Sequence, residues 1–159
     1  IFFEMRTPTN PNAYKRRNDY IESMEALDLE PKLIQIEGDT WDFEEIGYRG
    51  GLEAIRTRQL TTDTVLCSND RLAIGFLAAA YECGLRVGSG TGCALRVAGH
   101  DDHPYARFTC PPLTTVAQDY SAIATRSVEA ILKLIESGER AEKRDTTLFE
   151  GTLIKRASA

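Results

Sequence analysis

Polar side chains that could bind a small molecule follow four predicted strands of this chain, at the point where each strand ends. They are Arg6, Thr7, Thr9, Asn10 and Arg16 after the first strand, Asp39, Thr40 and Trp41 after the second, Ser68, Asn69 and Asp70 after the third, and His100, Asp101 and Asp102 after the fourth. Ligands of open parallel α/β sheets bind beyond the carboxyl ends of the strands. Charged groups can fix hydroxyls or ring nitrogens there, and one aromatic ring can cover an apolar face. The pattern predicts a site for a small polar ligand.

Each of these residues also has a purely structural interpretation. Asn69 and Asp70 could cap the helix that follows them, and Asp39 with Thr40 could form a turn and a cap. Trp41, the only tryptophan, could be a core residue. For each residue alone the structural role is favoured, whereas the four strand ends together favour a ligand site.

No catalytic arrangement emerges from the spacing of the residues, and an enzyme is not predicted. Asp101 and Asp102 are adjacent, so in a regular backbone their side chains diverge and make a poor acid/base pair. The glycine-rich run at 88–92 superficially suggests a phosphate-binding loop. It precedes a strand rather than a helix N-terminus, so it lacks the backbone donors and is interpreted as a flexible loop.

The histidines and cysteines predict neither a metal site nor a disulfide framework. His100 and His103 flank two aspartates, but Pro104 follows and no fourth ligand of suitable spacing is evident. We therefore expect no metal and no cofactor. The cysteines are Cys67, Cys83, Cys93 and Cys110. None of them forms a Cys-x-x-Cys pair, so we expect free thiols in a reducing cytoplasm. Cys67 and Cys83 are predicted to be small buried residues.

Strands alternate with helices of 14–18 residues along most of the chain. Strands are predicted at 1–5, 33–36, 64–67, 95–98, 113–117 and 147–154, and helices at 13–28, 43–58, 70–83 and 121–137. Asn12 is predicted to cap the first helix, and Gly50-Gly51 weakens the second. The alternation predicts parallel βαβ units and a three-layer α/β/α fold. The segments after Pro112 break the pattern and are assigned to a different sheet.

Composition narrows the class of protein further. The chain has 159 residues, 24 of them acidic and 19 basic, with a net charge of −5 and a sequence pI of about 5.1. This acidic balance argues against direct contact with a nucleic-acid backbone, and no apolar run is long enough to span a membrane. The chain opens on an apolar run, Ile1-Phe2-Phe3, without an initiator methionine, so we expect it to be part of a larger protein.

Five motifs in a fixed order give a specific resemblance over residues 64–156. They are Asn69-Asp70-Arg71-Leu72-Ala73-Ile74-Gly75, Gly84-Leu85-Arg86-Val87, Gly99-His100-Asp101-Asp102, the run from Ala106 through Pro111-Pro112-Leu113-Thr114-Thr115-Val116 to Gln118, and Leu153-Ile154-Lys155-Arg156. In this order they resemble the lactose/galactose repressor (LacI/GalR) family of bacterial transcription regulators. The first 60 residues match more loosely, through Arg16 and Glu37-Gly38-Asp39.

The resemblance implies a periplasmic-binding-protein-like (type I) core of two lobes. Residues 1–117 would form the C-terminal lobe, 118–146 a crossing segment and a helix of the N-terminal lobe, and 147–159 a strand returning to the C-terminal lobe. It also implies that operator DNA is bound by a helix-turn-helix domain absent from this chain. Effector binding between the lobes would favour their closure and control that DNA binding.

The resemblance also implies which residues of this chain bind the effector. They are Arg16, Trp41, Asn69, Asp101, Gln118 and Tyr120. Arg16 with Asp101 suits vicinal hydroxyls of a sugar or a purine-like ring. Helix 70–83 and the segment 103–108, with His103, Tyr105 and Phe108, are expected to form a homodimer contact.

Two other classes of protein stay open. A periplasmic sugar-binding protein of an ABC transporter would share the fold without any role at DNA, although the Pro-Pro-Leu-Thr-Thr-Val-x-Gln run favours the regulator. The alternative of an α/β enzyme is supported only by the adjacent aspartates Asp101 and Asp102.

Overall fold

A computed structural model describes residues 1–6, 11–38, 40–138 and 146–159. The strands are β1 (Phe2–Arg6), β2 (Leu33–Glu37), β3 (Thr64–Cys67), β4 (Arg96–Ala98), β5 (Thr115–Ala117) and β6 (Thr152–Ile154). The helices are α1 (Pro11–Ala26), α2 (Phe43–Arg56), α3 (Asp70–Glu82) and α4 (Tyr120–Ser137), with a 3₁₀ turn at Ala106–Phe108. The predicted order of elements is confirmed, and most of the ends lie within two residues of the prediction.

Four strands form one parallel sheet in the order β2-β1-β3-β4. Adjacent residues of β1 face opposite sides of this sheet, as alternation along a strand requires. The Phe2 ring stacks on Tyr20 of α1 with centroids 5.1 Å apart, while the Phe3 ring meets Phe76 of α3 at 5.0 Å. Helices therefore cover both faces, and the predicted three-layer α/β/α architecture is confirmed.

Helices α2 and α3 pack against each other at unusually close range. A Cβ atom at Gly75 of α3 would lie 2.0 Å from the backbone oxygen of Glu44, and one at Gly47 of α2 would lie 2.3 Å from that of Leu72. Glycine at both positions lets the two backbones touch. Glycines inside a helix weaken it on propensity alone. Here Gly47 and Gly51 are buried against α3, while Gly50 is buried against Ile36 of β2.

The chain after Pro112 forms a second, two-stranded sheet, as predicted. Strand β5 pairs antiparallel with β6 between Thr115 and Ile154. Both strands are shorter than expected, because the ladder spans only three residue pairs and Thr114 instead bridges to Ala98 of the main sheet.

Predictions for single residues near the ends of the elements have mixed results. Asn12 does not cap α1, since the helix already begins at Pro11, a residue suited to the first turn. Gly84 and Gly138 follow α3 and α4 with positive φ angles of 71° and 62°, which glycine adopts readily. Cys67 is buried as predicted, and Cys83 is only partly so.

Candidate functional site

An open cavity of about 230 Å³ lies at the carboxyl edge of the parallel sheet. Four of the six predicted ligand-binding residues line it, namely Arg16, Trp41, Asn69 and Asp101. The other two, Gln118 and Tyr120, do not line it but bond to Asp101. The sheet brings these residues together because the ends of β1, β3 and β4 lie side by side.

Arg16 and Asp101 form an ion pair at the cavity wall, although they are 85 residues apart in the chain. The guanidinium Nη2 lies 2.5 Å from Asp101 Oδ1, and Nη1 donates to the Ser68 carbonyl at 2.8 Å. The side chains are 24% and 29% exposed, and both residues line the cavity. A planar guanidinium beside a carboxylate offers donors and acceptors side by side, which is what neighbouring hydroxyls require.

Several groups fix the Asp101 carboxylate. Gln118 donates its amide to Oδ1 at 2.7 Å, His100 Nδ1 lies 2.9 Å from the same oxygen, and the Tyr120 hydroxyl donates to the Asp101 carbonyl at 3.2 Å. Burial alone would raise the pKa of the Asp101 carboxyl, but the hydrogen bonds from His100 and Arg16 and the charge of Arg16 outweigh it. The pKa is therefore below its usual value, and Asp101 is a charged acceptor at neutral pH.

Asn69 and Asp70 line the cavity and also stabilise the local structure. The Asn69 side chain caps α3 by accepting from the Leu72 amide at 2.9 Å, which is the alternative role considered above. The Asp70 carboxylate, only 1% exposed as a residue, accepts from the Thr115 hydroxyl at 2.7 Å and the His103 amide at 2.8 Å. Burial is the main influence on its pKa and raises it.

Trp41 is 77% exposed, so its alternative assignment to the core is wrong. Its ring lies 5.8 Å from that of Phe43, with the two planes nearly perpendicular, and the residue lines the cavity. Such a plate can cover the apolar face of a bound ring.

Residues at the first turns of α2 and α3 also line the cavity, and the sequence analysis missed them. Phe43 and Arg71 are both at its wall, and Arg71 lies 5.3 Å from the Phe43 ring centroid. Arg71 donates to both carboxylate oxygens of Glu44, at 2.6 Å and 2.5 Å, and this bond lowers the pKa of Glu44. The available signal was positional, since both helices begin at the carboxyl edge where the ligand site was expected.

The remaining strand-end residues do not join the cavity as a group. Thr7, Thr9, Asn10 and Asp39 lie outside the described residues. Arg6 pairs with Glu37 at the surface, and the Thr40 hydroxyl accepts from the Asp42 amide at 3.3 Å, as expected of a turn. The carboxylates of Asp101 and Asp102 diverge as predicted, since Asp102 pairs with Arg156 instead of Arg16.

The three residues expected at a dimer contact lie in different surroundings. His103 lines the cavity, and its ring lies 5.3 Å from that of Tyr105. Tyr105 and Phe108 are 67% and 74% exposed and lie on the surface of the same segment.

The part of the chain that the structure describes offers no second kind of site for a metal. Within it, no group of three His, Cys, Asp or Glu side chains could hold a metal ion. None of its helices is long and apolar enough to cross a membrane. The loop at 88–92 is held by Arg86, which donates to the Gly92 carbonyl at 3.0 Å, and its residues are not among those that line the cavity.

The sequence matches the family of periplasmic binding protein-like domains over residues 1–159. The ribose operon repressor of Haemophilus influenzae is 30% identical over 118 residues, which are 74% of this chain and 33% of that protein. The HTH-type transcriptional repressor PurR of Pasteurella multocida is 31% identical over 153 residues, which are 94% of this chain and 42% of that protein. The lac repressor dimer bound to operator and the anti-inducer ONPF superposes with a TM-score of 0.80 at 25% identity, covering 99% of this chain and 51% of the repressor chain.

These relatives bear out the resemblance drawn from the five motifs. They are all repressors, and this chain spans between a third and about half of their length. The parallel sheet and its layers agree with the fold that the match implies. The chain therefore belongs to the family of periplasmic binding protein-like domains, and it corresponds to a part of the LacI/GalR-type transcriptional regulators.

Proposed function

We propose that this chain forms one half of the effector site of a transcriptional regulator, and that a small polar effector bound there controls operator binding. The observation that carries the proposal is the ion pair of Arg16 and Asp101 at the cavity wall, with exposed Trp41 beside it. Operator DNA would be bound by a helix-turn-helix domain outside this chain. Effector and operator would then influence each other's affinity through lobe closure.

The charges around the cavity favour an uncharged effector. Arg16 is neutralised by Asp101, and Arg71 is neutralised by Glu44. Asp70 adds a carboxylate rather than a cation. A phosphorylated or carboxylated ligand would find no unpaired arginine among these residues, whereas a sugar or a purine-like base needs only the donors and acceptors present.

A thermal-shift screen of the intact gene product tests this proposal. The panel is D-ribose, lactose and guanine, with ribose 5-phosphate as the charged counterpart. We expect at least one neutral compound to raise the melting temperature by several degrees, because a ligand at about 100 times its Kd stabilises by about 2.7 kcal/mol. Ribose 5-phosphate should shift it less than D-ribose. Failure of every neutral compound, confirmed by calorimetry, would remove this effector class.

The division into lobes is part of the same proposal. Residues 1–117 would form the C-terminal lobe. Residues 118–146 would form the segment that crosses to the N-terminal lobe and a helix of that lobe, and 147–159 a strand that returns to the C-terminal lobe. The second sheet, β5–β6, supports a crossing at this point. So does α4, which has no buried residue and presents exposed apolar side chains such as Ile131 and Ile135.

We also propose that the regulator is a homodimer through α3 and the segment 103–108. Tyr81 of α3 is 84% exposed, and Tyr105 and Phe108 add exposed aromatic surface on the neighbouring segment. Large exposed aromatic side chains of this kind are typical of a protein interface.

Substituting Phe108→Asp or Tyr105→Asp is expected to convert the dimer into monomers at micromolar concentration. A carboxylate in a buried apolar contact has no partner there, which weakens association by several kcal/mol. Sedimentation velocity measures the change. Tyr14→Asp is the matched control, since Tyr14 is an exposed aromatic residue on α1 and should leave the dimer intact. A monomeric wild-type protein would contradict the assignment.

The runner-up, a periplasmic sugar-binding component of an ABC transporter, would use the same cavity chemistry. The relatives named above are repressors, which supports the regulator and a cytoplasmic location, where operator DNA is found. They are also not enzymes. The separate partners of Asp101 and Asp102 give no support to an acid/base pair.

A further inference from the structure

The backbone at Asp101 and Asp102 is held in an unusual conformation. Their φ angles are 111° and 47°, a region that side chains other than glycine rarely occupy. Such residues persist only where the surrounding structure fixes them. The direction of the Asp101 carboxylate therefore depends on what holds these two residues.

Successive amides of residues 101–103 donate to fixed acceptors. The first bonds to the Val116 carbonyl at 2.9 Å, and the second to the Thr115 hydroxyl at 3.3 Å. The third bonds to the buried Asp70 carboxylate at 2.8 Å, which also accepts from the Thr115 hydroxyl. These bonds hold the loop at its amides, and the Asp102 side chain provides one further attachment.

Arg156 holds that side chain from a distant part of the sequence. Its Nη2 lies 2.6 Å from Asp102 Oδ1, and the two side chains are only 15% and 26% exposed. Its Nη1 donates to the Leu113 carbonyl at 2.7 Å, and its amide donates to the Thr114 hydroxyl at 3.0 Å. The guanidinium thus joins the loop of residues 101–102 to the segment that leads into β5.

The position of Arg156 just after β6 connects the Asp101 loop to the second sheet. Arg156 follows β6 by two residues, and β6 pairs with β5, after which Gln118 donates to Asp101. The Asp101 loop is therefore attached to both strands of the second sheet. Arg156 is not among the residues that line the cavity.

We propose that Arg156 is a positioning residue for the effector site. Its ion pair with Asp102 holds the strained backbone in the conformation that directs the Asp101 carboxylate at Arg16 and the cavity. The expected effect of Arg156 on effector binding rests on the proposed function of the cavity. The expected effect of Arg156 on the conformation of residues 101–103 does not depend on that function.

Hydrogen exchange of the intact protein with Arg156→Ala tests the structural part without any ligand. We expect the amides of residues 101–103 to exchange at least ten times faster, while those of β3 keep their rates. Arg156→Lys keeps the charge beside Asp102 and should restore most of the protection. Arg96→Ala is the matched control, because Arg96 pairs with Asp63 at an exposed site and its loss should leave residues 101–103 unchanged.

Calorimetry with D-ribose, lactose and guanine tests the consequence for binding. Affinity for any probe that binds the wild type should fall about ten-fold in Arg156→Ala. Asp102→Ala should have the same effect, and the double variant should be no weaker than either single one. Should Arg156→Ala fail to fold, Asp102→Asn removes the charge at constant shape and should accelerate the same local exchange.

Three results would overturn the positioning role. These are unchanged exchange at residues 101–103, equal acceleration in every segment, and local acceleration with full affinity for a bound probe. If the wild type binds none of the probes, the proposed effector class fails, while the exchange rates still decide whether Arg156 holds the loop.

Discussion

Replacing Gly75 with alanine is expected to lower the free energy of unfolding by about 2 to 3 kcal/mol. The new Cβ would lie 2.0 Å from the Glu44 carbonyl oxygen and 2.6 Å from the Tyr48 amide nitrogen. Both are backbone atoms of α2 and cannot rotate away, so the two helices must separate. Separation would also loosen the packing of Phe76, which contacts Phe3 of the sheet.

The sign of this effect distinguishes packing from backbone flexibility. In an ordinary helix interior the same change stabilises by about 1 kcal/mol, because alanine is the better helix former. A gain in stability for Gly75→Ala would therefore contradict the close contact. Urea unfolding followed by circular dichroism measures the change. Gly90→Ala is the control, since a Cβ there meets nothing within 4 Å, and its effect should be within about 0.5 kcal/mol.

These glycines also show why parts of the fold could not be predicted from the sequence. The alternation of strands and helices is a local pattern, so element order and the three layers follow from it. Gly50-Gly51 predicts a weakened second helix, because propensity describes an isolated helix. Only the packing of Gly50 against Ile36 of β2 and of Gly51 against α3 reveals that small residues are required there, and these are contacts between distant segments.

The same distinction applies to the cavity. Arg16, Asn69 and Asp101 were predictable because strand ends of a parallel sheet converge at one edge. The exposure of Trp41 depends on how α2 begins, and the contribution of Arg71 depends on how α3 begins, neither of which spacing determines. The Asp102–Arg156 pair joins residues 54 apart and gave no local signal.

Replacing Arg16 with alanine is expected to weaken effector binding about 100-fold. Arg16 offers two nitrogens at the cavity wall, one 2.5 Å from Asp101 and one donating to the Ser68 carbonyl at 2.8 Å. A hydrogen bond from a charged group contributes about 1.5 to 3 kcal/mol, and each 1.4 kcal/mol is ten-fold in Kd. Removal also leaves the half-buried Asp101 carboxylate without its main cation, which favours other orientations of that side chain.

Asp101→Ala should have a comparable effect, and Arg16→Lys an intermediate one, since lysine keeps the charge but not the planar fork. Lys15→Ala is the matched control, an exposed cation on the same helix that should keep full affinity. The measurement is calorimetry of the intact protein with the panel compound that gives the largest thermal shift, after circular dichroism has shown that each variant is folded. Wild-type affinity in both Arg16→Ala and Asp101→Ala would place the effector elsewhere. A loss in one variant alone would assign the contact to that residue, because only a ligand that bridges the two needs both.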